Sequence, residues 1–129
     1  MATQLIPHPT LNRNLVKNLA LWVIQLGLAF MFLKAGILKL TGNPMMVQIF
    51  AVIGIGQWFR YLTGVLEVTG AIGLLIPGLS GYAALLLAAV MTGAVLSHLA
   101  ILGGSPVIPL VLLAASLLVA WGRLRGEHK

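Results

Sequence analysis

The sequence alternates between long apolar stretches and short polar breaks. A helix needs about 20 apolar residues to cross a bilayer, with about 17 as the short limit. The first and third stretches reach this length by themselves. The second reaches it with Trp58 and Phe59 included, and the fourth reaches it if its flanking side chains snorkel. The pattern therefore predicts four transmembrane spans, at about 19–40, 58–77, 81–102 and 106–122.

The polar breaks indicate how the spans are arranged. The breaks at 78–80 and 103–106 are tight, and short links between long helices make antiparallel neighbours. The longer break contains an apolar run at about 44–54 that is too short to cross a bilayer. This run is interpreted either as a lid packed on the end of the bundle or as a substrate gate. We expect an all-α membrane protein with one domain, 1–129. It is a four-helix transmembrane bundle with a short interfacial or re-entrant helix between spans 1 and 2.

At the start of the chain, Pro7 and Pro9 predict a non-helical segment. Asn12 or Asn14 would then cap a first helix that begins near Leu15.

Composition narrows the class of protein. The chain is 60% hydrophobic and 8% charged, whereas soluble domains are about a quarter charged, so a water-soluble domain is excluded. The net charge of +6 does not indicate nucleic-acid binding, because the eight Lys and Arg residues are scattered singly. The sequence has no cysteine, which excludes disulfides, thiol redox chemistry, iron–sulfur clusters and thiolate zinc sites.

The cationic residues predict an orientation, because cytoplasmic ends of spans carry an excess of Lys and Arg. Lys39 and Arg60 lie at the end of the bundle away from the termini, where Trp58 and Tyr61 are expected at the membrane interface. We expect an integral protein of the bacterial inner (plasma) membrane with both termini cytoplasmic. Five cations lie towards the termini: Arg13, Lys17, Arg123, Arg125 and Lys129.

Ionisable groups interrupt the apolar spans. Inserting each of them into the membrane costs about 2.5–3.5 kcal/mol on insertion scales. With a rise of about 1.5 Å per residue, Lys34 lies about 9 Å from the outer end of its span, Glu67 about 12 Å and His98 about 6 Å. All three fall in the outer half of the membrane, and span 1 also carries Gln25. The sequence therefore predicts a polar cluster, ligand-binding or structural, formed by Lys34, Lys39, Arg60, Glu67 and His98.

Glu67 is the single acid in this predicted cluster. Lys39 and Arg60 lie close enough to the interface to snorkel, so Lys34 is the cation expected to pair with Glu67. The pair is either a structural ion pair or part of a polar cavity that binds a quinone-like head group, a lipid or a small anion. His98 either bonds to a neighbour or passes protons. We expect no metal site, because zinc needs three or four ligands and Glu67 with His98 supplies two.

Two short motifs resemble a known family. Residues 36–40 read G-x-x-K-L, residues 64–71 read G-x-x-E-x-x-G-A, and span 3 ends in Ser97-His98-Leu99. In order and spacing they resemble the DoxX-like family of small four-span membrane proteins, from span 1 through span 4. The resemblance implies that Lys39 and Glu67 are signature polar positions, with His98 as a third.

The resemblance also implies a range of functions. The wider superfamily includes a subunit of a thiosulfate:quinone oxidoreductase, components of membrane oxidoreductase complexes, and an endoplasmic-reticulum chaperone for nicotinic acetylcholine receptors. Some redox-linked relatives carry cysteines that this chain lacks. Their absence argues against a thiol-exchange role.

Three functions are carried forward as hypotheses. The first is a non-enzymatic module that binds a lipid or quinone-like ligand, or that assists assembly of a larger membrane complex. The second is a quinone-linked oxidoreductase subunit in which Glu67 and His98 transfer protons. The third is a small dimeric transporter. The expected cofactor is a quinone or lipid, and the expected partners are membrane lipid, a larger membrane protein complex or a second copy of the chain. Nucleic acid is not expected, and neither is enzymatic activity of the isolated chain.

Overall fold

The structure is a computed structural model that describes residues 9–126, and no strand occurs among them. Pro7, His8, Glu127, His128 and Lys129 lie outside the described residues, so the expectations that concern Pro7 and Lys129 do not extend to the structure. The predicted all-helical fold is confirmed. The helices are α1 Pro9–Leu40, α2 Pro44–Ile53, α3 Gln57–Leu74, α4 Ser80–Ser97, a π-helical turn His98–Leu102, and α5 Val107–Gly126.

Three helical segments are long and apolar enough to cross a membrane: Arg13–Leu40, Ser80–Leu102 and Val107–Arg125. Helices α2 and α3 meet the same criterion only together, and they are bent by 117° relative to each other. Helix α3 carries Arg60 and Glu67, which lower its apolar character. The fold is therefore a helical membrane bundle of three spans, or of four where the bent pair is counted as one span. Helix α2 occupies the predicted place of the interfacial or re-entrant helix.

The helices pack in two pairs that close into one bundle. Helix α1 lies along α3 and α4 lies along α5, while α3 also contacts α4 and α1 contacts α5. Phe32, Leu74, Leu87 and Val119 are almost completely buried between the pairs. Many large apolar side chains face outward instead, among them Val23 at 70% exposure, as expected where the surrounding solvent is lipid.

Two glycines set the contact between α1 and α3. A Cβ atom on Gly36 would lie 2.6 Å from Val68 Cγ2 and 2.9 Å from the carbonyl oxygen of Gly64. A Cβ atom on Gly64 would lie 3.1 Å from the carbonyl oxygen of Gly36. Small residues at such positions let helix backbones approach closely in membranes. Gly36 therefore fixes which face of α1 points into the bundle.

The structure differs from the predictions at the start of the first helix and at the end of the third span. The prediction of a non-helical Pro9 is wrong, because α1 begins there and a first-turn proline needs no N–H donor. The end of the third span is π-helical, with the Gly103 N–H donating to the His98 carbonyl at 2.9 Å. Gly103 then takes a φ of 73°, in the left-handed region that favours glycine.

We predict that Gly36→Ala destabilises the bundle while Gly27→Ala does not. Both glycines lie in α1, but a Cβ at Gly27 would meet nothing within 4 Å. Both changes gain the same helix propensity of about 1 kcal/mol, so their difference isolates the clash. We expect Gly36→Ala to be less stable than Gly27→Ala by about 1–3 kcal/mol, measured by unfolding in mixed detergent micelles. Equal stability of the two variants would contradict the close α1–α3 contact.

Candidate functional site

A buried ion pair joins α1 to α3 at the end of the bundle where α1 ends. Lys39 Nζ lies 2.8 Å from Glu67 Oε1. Glu67 follows Gly64 by one helical turn, so it shares the face of α3 that contacts α1. Glu67 is 1% exposed, and the Lys39 side chain is 13% exposed. Within residues 9–126, Oε1 receives no aligned hydrogen bond, so its contact with Lys39 is an ion pair.

Arg60 binds the end of α1 rather than the carboxylate. Its side chain is 4% exposed, and a terminal guanidinium nitrogen donates to the carbonyl oxygen of Lys39. This carbonyl is one of the last four of α1, which have no partner within the helix, and a cation is favourable there. Arg60 Nε also donates to Gln57 Oε1 at 2.7 Å, and the guanidinium carbon lies 4.3 Å from the Tyr61 ring centre. Arg60 therefore caps α1.

The predicted pairing of Lys34 with Glu67 is wrong. Helix α1 turns by about 100° per residue, so Lys34 lies about 200° from Gly36, the residue that contacts α3. The Lys34 side chain is exposed and makes no hydrogen bond or ion pair with any residue in 9–126. The depth estimates from residue number carried no information about the direction of the side chain.

His98 lies apart from the ion pair. It begins the π-helical turn, and its Nδ1 is 3.2 Å from the carbonyl oxygen of Gly103. Within the described chain, no hydrogen bond joins His98 to Lys39, Arg60 or Glu67. The structure thus brings together Lys39, Arg60 and Glu67 of the five predicted residues. That these residues bind a ligand stays a prediction.

Helix α2 covers this end of the bundle. Gln57 Nε2 donates to the Val47 carbonyl at 3.0 Å, and the Phe59 ring packs edge-on against Phe50 with centres 5.9 Å apart. Trp58 is 60% exposed and contacts Phe59 edge-on at 5.8 Å. No role for Gln57 was predicted from the sequence. Its position three residues before Arg60 on one helix was the available signal.

A second polar cluster, which the sequence did not predict, lies at the opposite end of the bundle. Gln25 is fully buried, and its Nε2 donates to the Leu74 carbonyl at 2.7 Å and to Ser80 Oγ at 3.1 Å. Arg123 Nε donates to Gln25 Oε1 at 2.5 Å. This cluster ties α1, α3, α4 and α5 together. A single amide in an apolar helix was its only sequence signal.

Metal binding finds no support in the side-chain geometry of the described part of the chain. Among residues 9–126 there is no group of three or more His, Asp and Glu side chains that could hold a metal ion. The Lys39–Glu67 pair offers an ammonium and a carboxylate.

We predict that Lys39 and Glu67 are energetically coupled and that Lys34 is not. Lys39→Met and Glu67→Gln should each lower the free energy of unfolding by about 2 kcal/mol, because each leaves one polar partner without its neighbour. Part of Lys39 stays exposed, at 13%, so the loss is smaller than the roughly 3–5 kcal/mol of a fully buried pair. The double variant should recover most of the loss, measured as a double-mutant cycle in detergent.

Lys34→Met is the matched control for this cycle. It removes the same charge from the same helix, and we expect a change within about 0.5 kcal/mol. Additive losses for Lys39 and Glu67, or a loss for Lys34 of the same size, would contradict the assignment.

Comparison with known proteins identifies the family. The DoxX-like family model matches residues 23–121, a range that includes Lys39, Arg60 and Glu67. No match was found among curated proteins or among solved structures. The family match covers well over half of the chain and confirms the resemblance of its two short motifs. The chain belongs to the DoxX-like family.

Proposed function

We propose that this protein is a non-enzymatic membrane module that binds a membrane-soluble molecule through a carbonyl or hydroxyl head group. The ligand is quinone-like or a lipid, and it binds at the Lys39–Glu67 pair. The observation that carries the proposal is the geometry of the pair: the Lys39 ammonium lies 2.8 Å from a buried oxygen, Glu67 Oε1, which receives no aligned hydrogen bond from any residue in 9–126.

The pair has unused hydrogen-bonding capacity. A lysine ammonium has three N–H donors, and within residues 9–126 the contact with Glu67 is the only polar one that Lys39 Nζ makes. A ligand carbonyl or hydroxyl oxygen could therefore accept from Lys39 Nζ. The 13% exposure of the Lys39 side chain gives such a head group access from outside the bundle.

The charges favour a neutral head group. Lys39 and Glu67 neutralise each other, and the charge of Arg60 is engaged by the carbonyl end of α1. Arg60 is only 4% exposed, so the cation that a ligand can reach is Lys39, which Glu67 already neutralises. A quinone-like or lipid carbonyl is therefore favoured over the small anion considered from the sequence.

The second hypothesis, a quinone-linked oxidoreductase subunit, has weaker support. It requires a proton path between Glu67 and His98, and the His98 ring is instead directed at the Gly103 carbonyl. If the protein is such a subunit, a catalytic partner chain would have to supply both the redox centre and a separate proton path. Any such role would still use the same Lys39–Glu67 head-group site.

Assistance in the assembly of a larger membrane complex is supported by a different observation. Lys34 is an exposed ammonium on a helix face that also exposes Phe30 and Ile37, at 67% and 47%. A cation on a lipid-facing surface is unfavourable unless it snorkels or meets a partner. We infer that a partner helix carrying an acid would be stabilised at this face.

We also propose that the protein lies in a bacterial inner membrane with both termini in the cytoplasm. Lys39 and Arg60, at the opposite end, are engaged by Glu67 and by the end of α1. The excess of cations towards the termini therefore supports a cytoplasmic location for that end. Its described members are Arg13, Lys17, Arg123 and Arg125.

Titration with a short-chain ubiquinone analogue tests the head-group site. We expect saturable quenching of tryptophan fluorescence in purified protein, and at least tenfold weaker binding in Lys39→Met and Glu67→Gln. A lost hydrogen bond to a charged group is worth about 1.5–3 kcal/mol, which corresponds to roughly tenfold or more. A diacylglycerol, which carries ester carbonyls and a hydroxyl, serves as the lipid probe.

Lys34→Met is again the matched control and should bind like the unchanged protein. The double variant Lys39→Met/Glu67→Gln keeps the site without a charge, so it tests binding where a single variant is unstable. Absence of saturable binding of both probes, or equal binding in all variants, would contradict the proposal.

A further inference from the structure

Exposed residues of α1 form a continuous strip on the side of the helix away from Gly36. Five of them, called the lipid-facing strip below, follow one another at spacings of four and three residues: Val23, Gly27, Phe30, Lys34 and Ile37. At about 100° per residue they fall within an arc of about 80°. The alternation of four and three is the spacing by which one helix packs lengthwise against another. The lipid-facing strip therefore has the pattern of a helix–helix interface, although no other helix of residues 9–126 covers it.

Lys34 is the charged member of the lipid-facing strip, and it has no polar partner among residues 9–126. It lies about 9 Å along the helix axis from Leu40, the last residue of α1. The Cα–Cβ bonds of a helix tilt towards its N-terminus, so this bond of Lys34 points away from the nearer end of the span. To reach water there, the side chain must bend back against that tilt. A carboxylate at the same depth satisfies the ammonium without such a bend.

Gly27 has no packing role inside the bundle. A Cβ atom on Gly27 would meet nothing within 4 Å, whereas Gly36 of the same helix is needed for the contact with α3. Glycine is less favourable than alanine inside a helix, and no contact within the described chain offsets this cost. On a lipid-facing surface, a glycine lets the backbone of a second helix approach closely. Gly27 lies two turns from Lys34 on the same face, so it marks the point where a second helix comes closest.

A second copy of this chain does not supply the missing acid. Among residues 9–126 the single acid is Glu67, which is 1% exposed and already pairs with Lys39. A two-fold axis along the membrane normal would keep the two α1 helices parallel and would place Lys34 beside its own copy. Like charges in a low-dielectric environment repel each other. The occupant is therefore a different chain.

We infer that the lipid-facing strip binds a transmembrane helix of a different protein, which crosses α1 at Gly27 and places an Asp or Glu carboxylate against Lys34. The inference rests on the assembly role proposed above, to which it adds the crossing point and the chemistry of the partner. Its failure leaves the head-group site intact, because Lys34 makes no hydrogen bond or ion pair with Lys39 or Glu67.

Synthetic transmembrane peptides in phosphatidylcholine liposomes test this inference. Two Leu/Ala helices of about 20 residues, free of Trp, carry one Glu or one Gln two turns from a central glycine. A dansyl group on the peptide reports energy transfer from the three Trp residues of the full chain. We expect the Glu peptide to bind at least tenfold more tightly than the Gln peptide. Equal binding of the two peptides would overturn the inference, and no binding of either would overturn the assembly role as well.

Lys34→Met should remove the preference for the Glu peptide. The matched control is Lys17→Met, which removes the same charge from the same helix outside the lipid-facing strip and should change the preference less than twofold. A preference that persists in Lys34→Met would show that the carboxylate binds elsewhere, which contradicts the inference.

Gly27→Leu should weaken binding of the Glu peptide at least tenfold, because the new side chain fills the crossing point. Its matched control is Gly93→Leu, at an exposed glycine of α4 where an added Cβ would also meet nothing within 4 Å. This control should leave binding unchanged. Equal effects of the two changes would overturn the inference.

Anionic lipid and a second copy are the competing occupants of the lipid-facing strip. Replacing half of the phosphatidylcholine by phosphatidylglycerol should leave the preference for the Glu peptide intact, and its loss would show that a lipid phosphate occupies Lys34 instead. Self-association is measured by energy transfer between copies labelled at one introduced cysteine, since the chain has none of its own. Self-association that Gly27→Leu abolishes would show that a second copy covers the strip. Either result would overturn the inference.

Discussion

The contact between Gly36 and Gly64 is the constraint on which the arrangement of polar groups depends. It leaves no room for a Cβ atom between α1 and α3, so it fixes how α1 is rotated about its own axis. That rotation turns Lys39 towards Glu67 and turns Lys34 away from the bundle. An ion pair in a low-dielectric interior is favourable only with good geometry. The glycine contact provides that geometry because it brings the two backbones together within reach of both side chains.

Most of the fold could be predicted from the sequence because hydropathy is nearly sufficient in a membrane protein. Lipid satisfies no backbone hydrogen bonds, so apolar stretches must be helical and their lengths define the spans. The apolar run at 44–54 was recognisable as a separate helix for the same reason: it is too short to cross. The π-helical turn at His98–Leu102 was not predictable, because its residues are as apolar as those of the helix before it.

The candidate site could be predicted only in part, and the errors have one physical cause. Depth along a helix follows from residue number, so Lys34 and Glu67 were placed at similar depths and Lys39 at the end of its span. Direction about the helix axis follows from packing, and the packing signal was the two glycines rather than the charges. The assumption that Lys39 would snorkel to the interface also ignored the carbonyl end of α1, which Arg60 already occupies. Gln25 was visible as a lone amide, but its partners come from residues 49 to 98 positions away.

The two ends of the bundle hold their cations through different partners. At one end, Glu67 neutralises Lys39, and the buried guanidinium of Arg60 lies against the carbonyl end of α1. At the other end, Arg123 donates to the side chains of Gln25 and Asn18 and lies over the Trp22 ring, so a buried amide fixes the position of this cation. Five of the eight Lys and Arg residues lie towards the termini of the sequence, and Lys34, Lys39 and Arg60 lie towards the other end of the bundle. Each end therefore combines cations with one buried polar side chain, Glu67 at one end and Gln25 at the other, and the two differ in that only Glu67 can neutralise a cation.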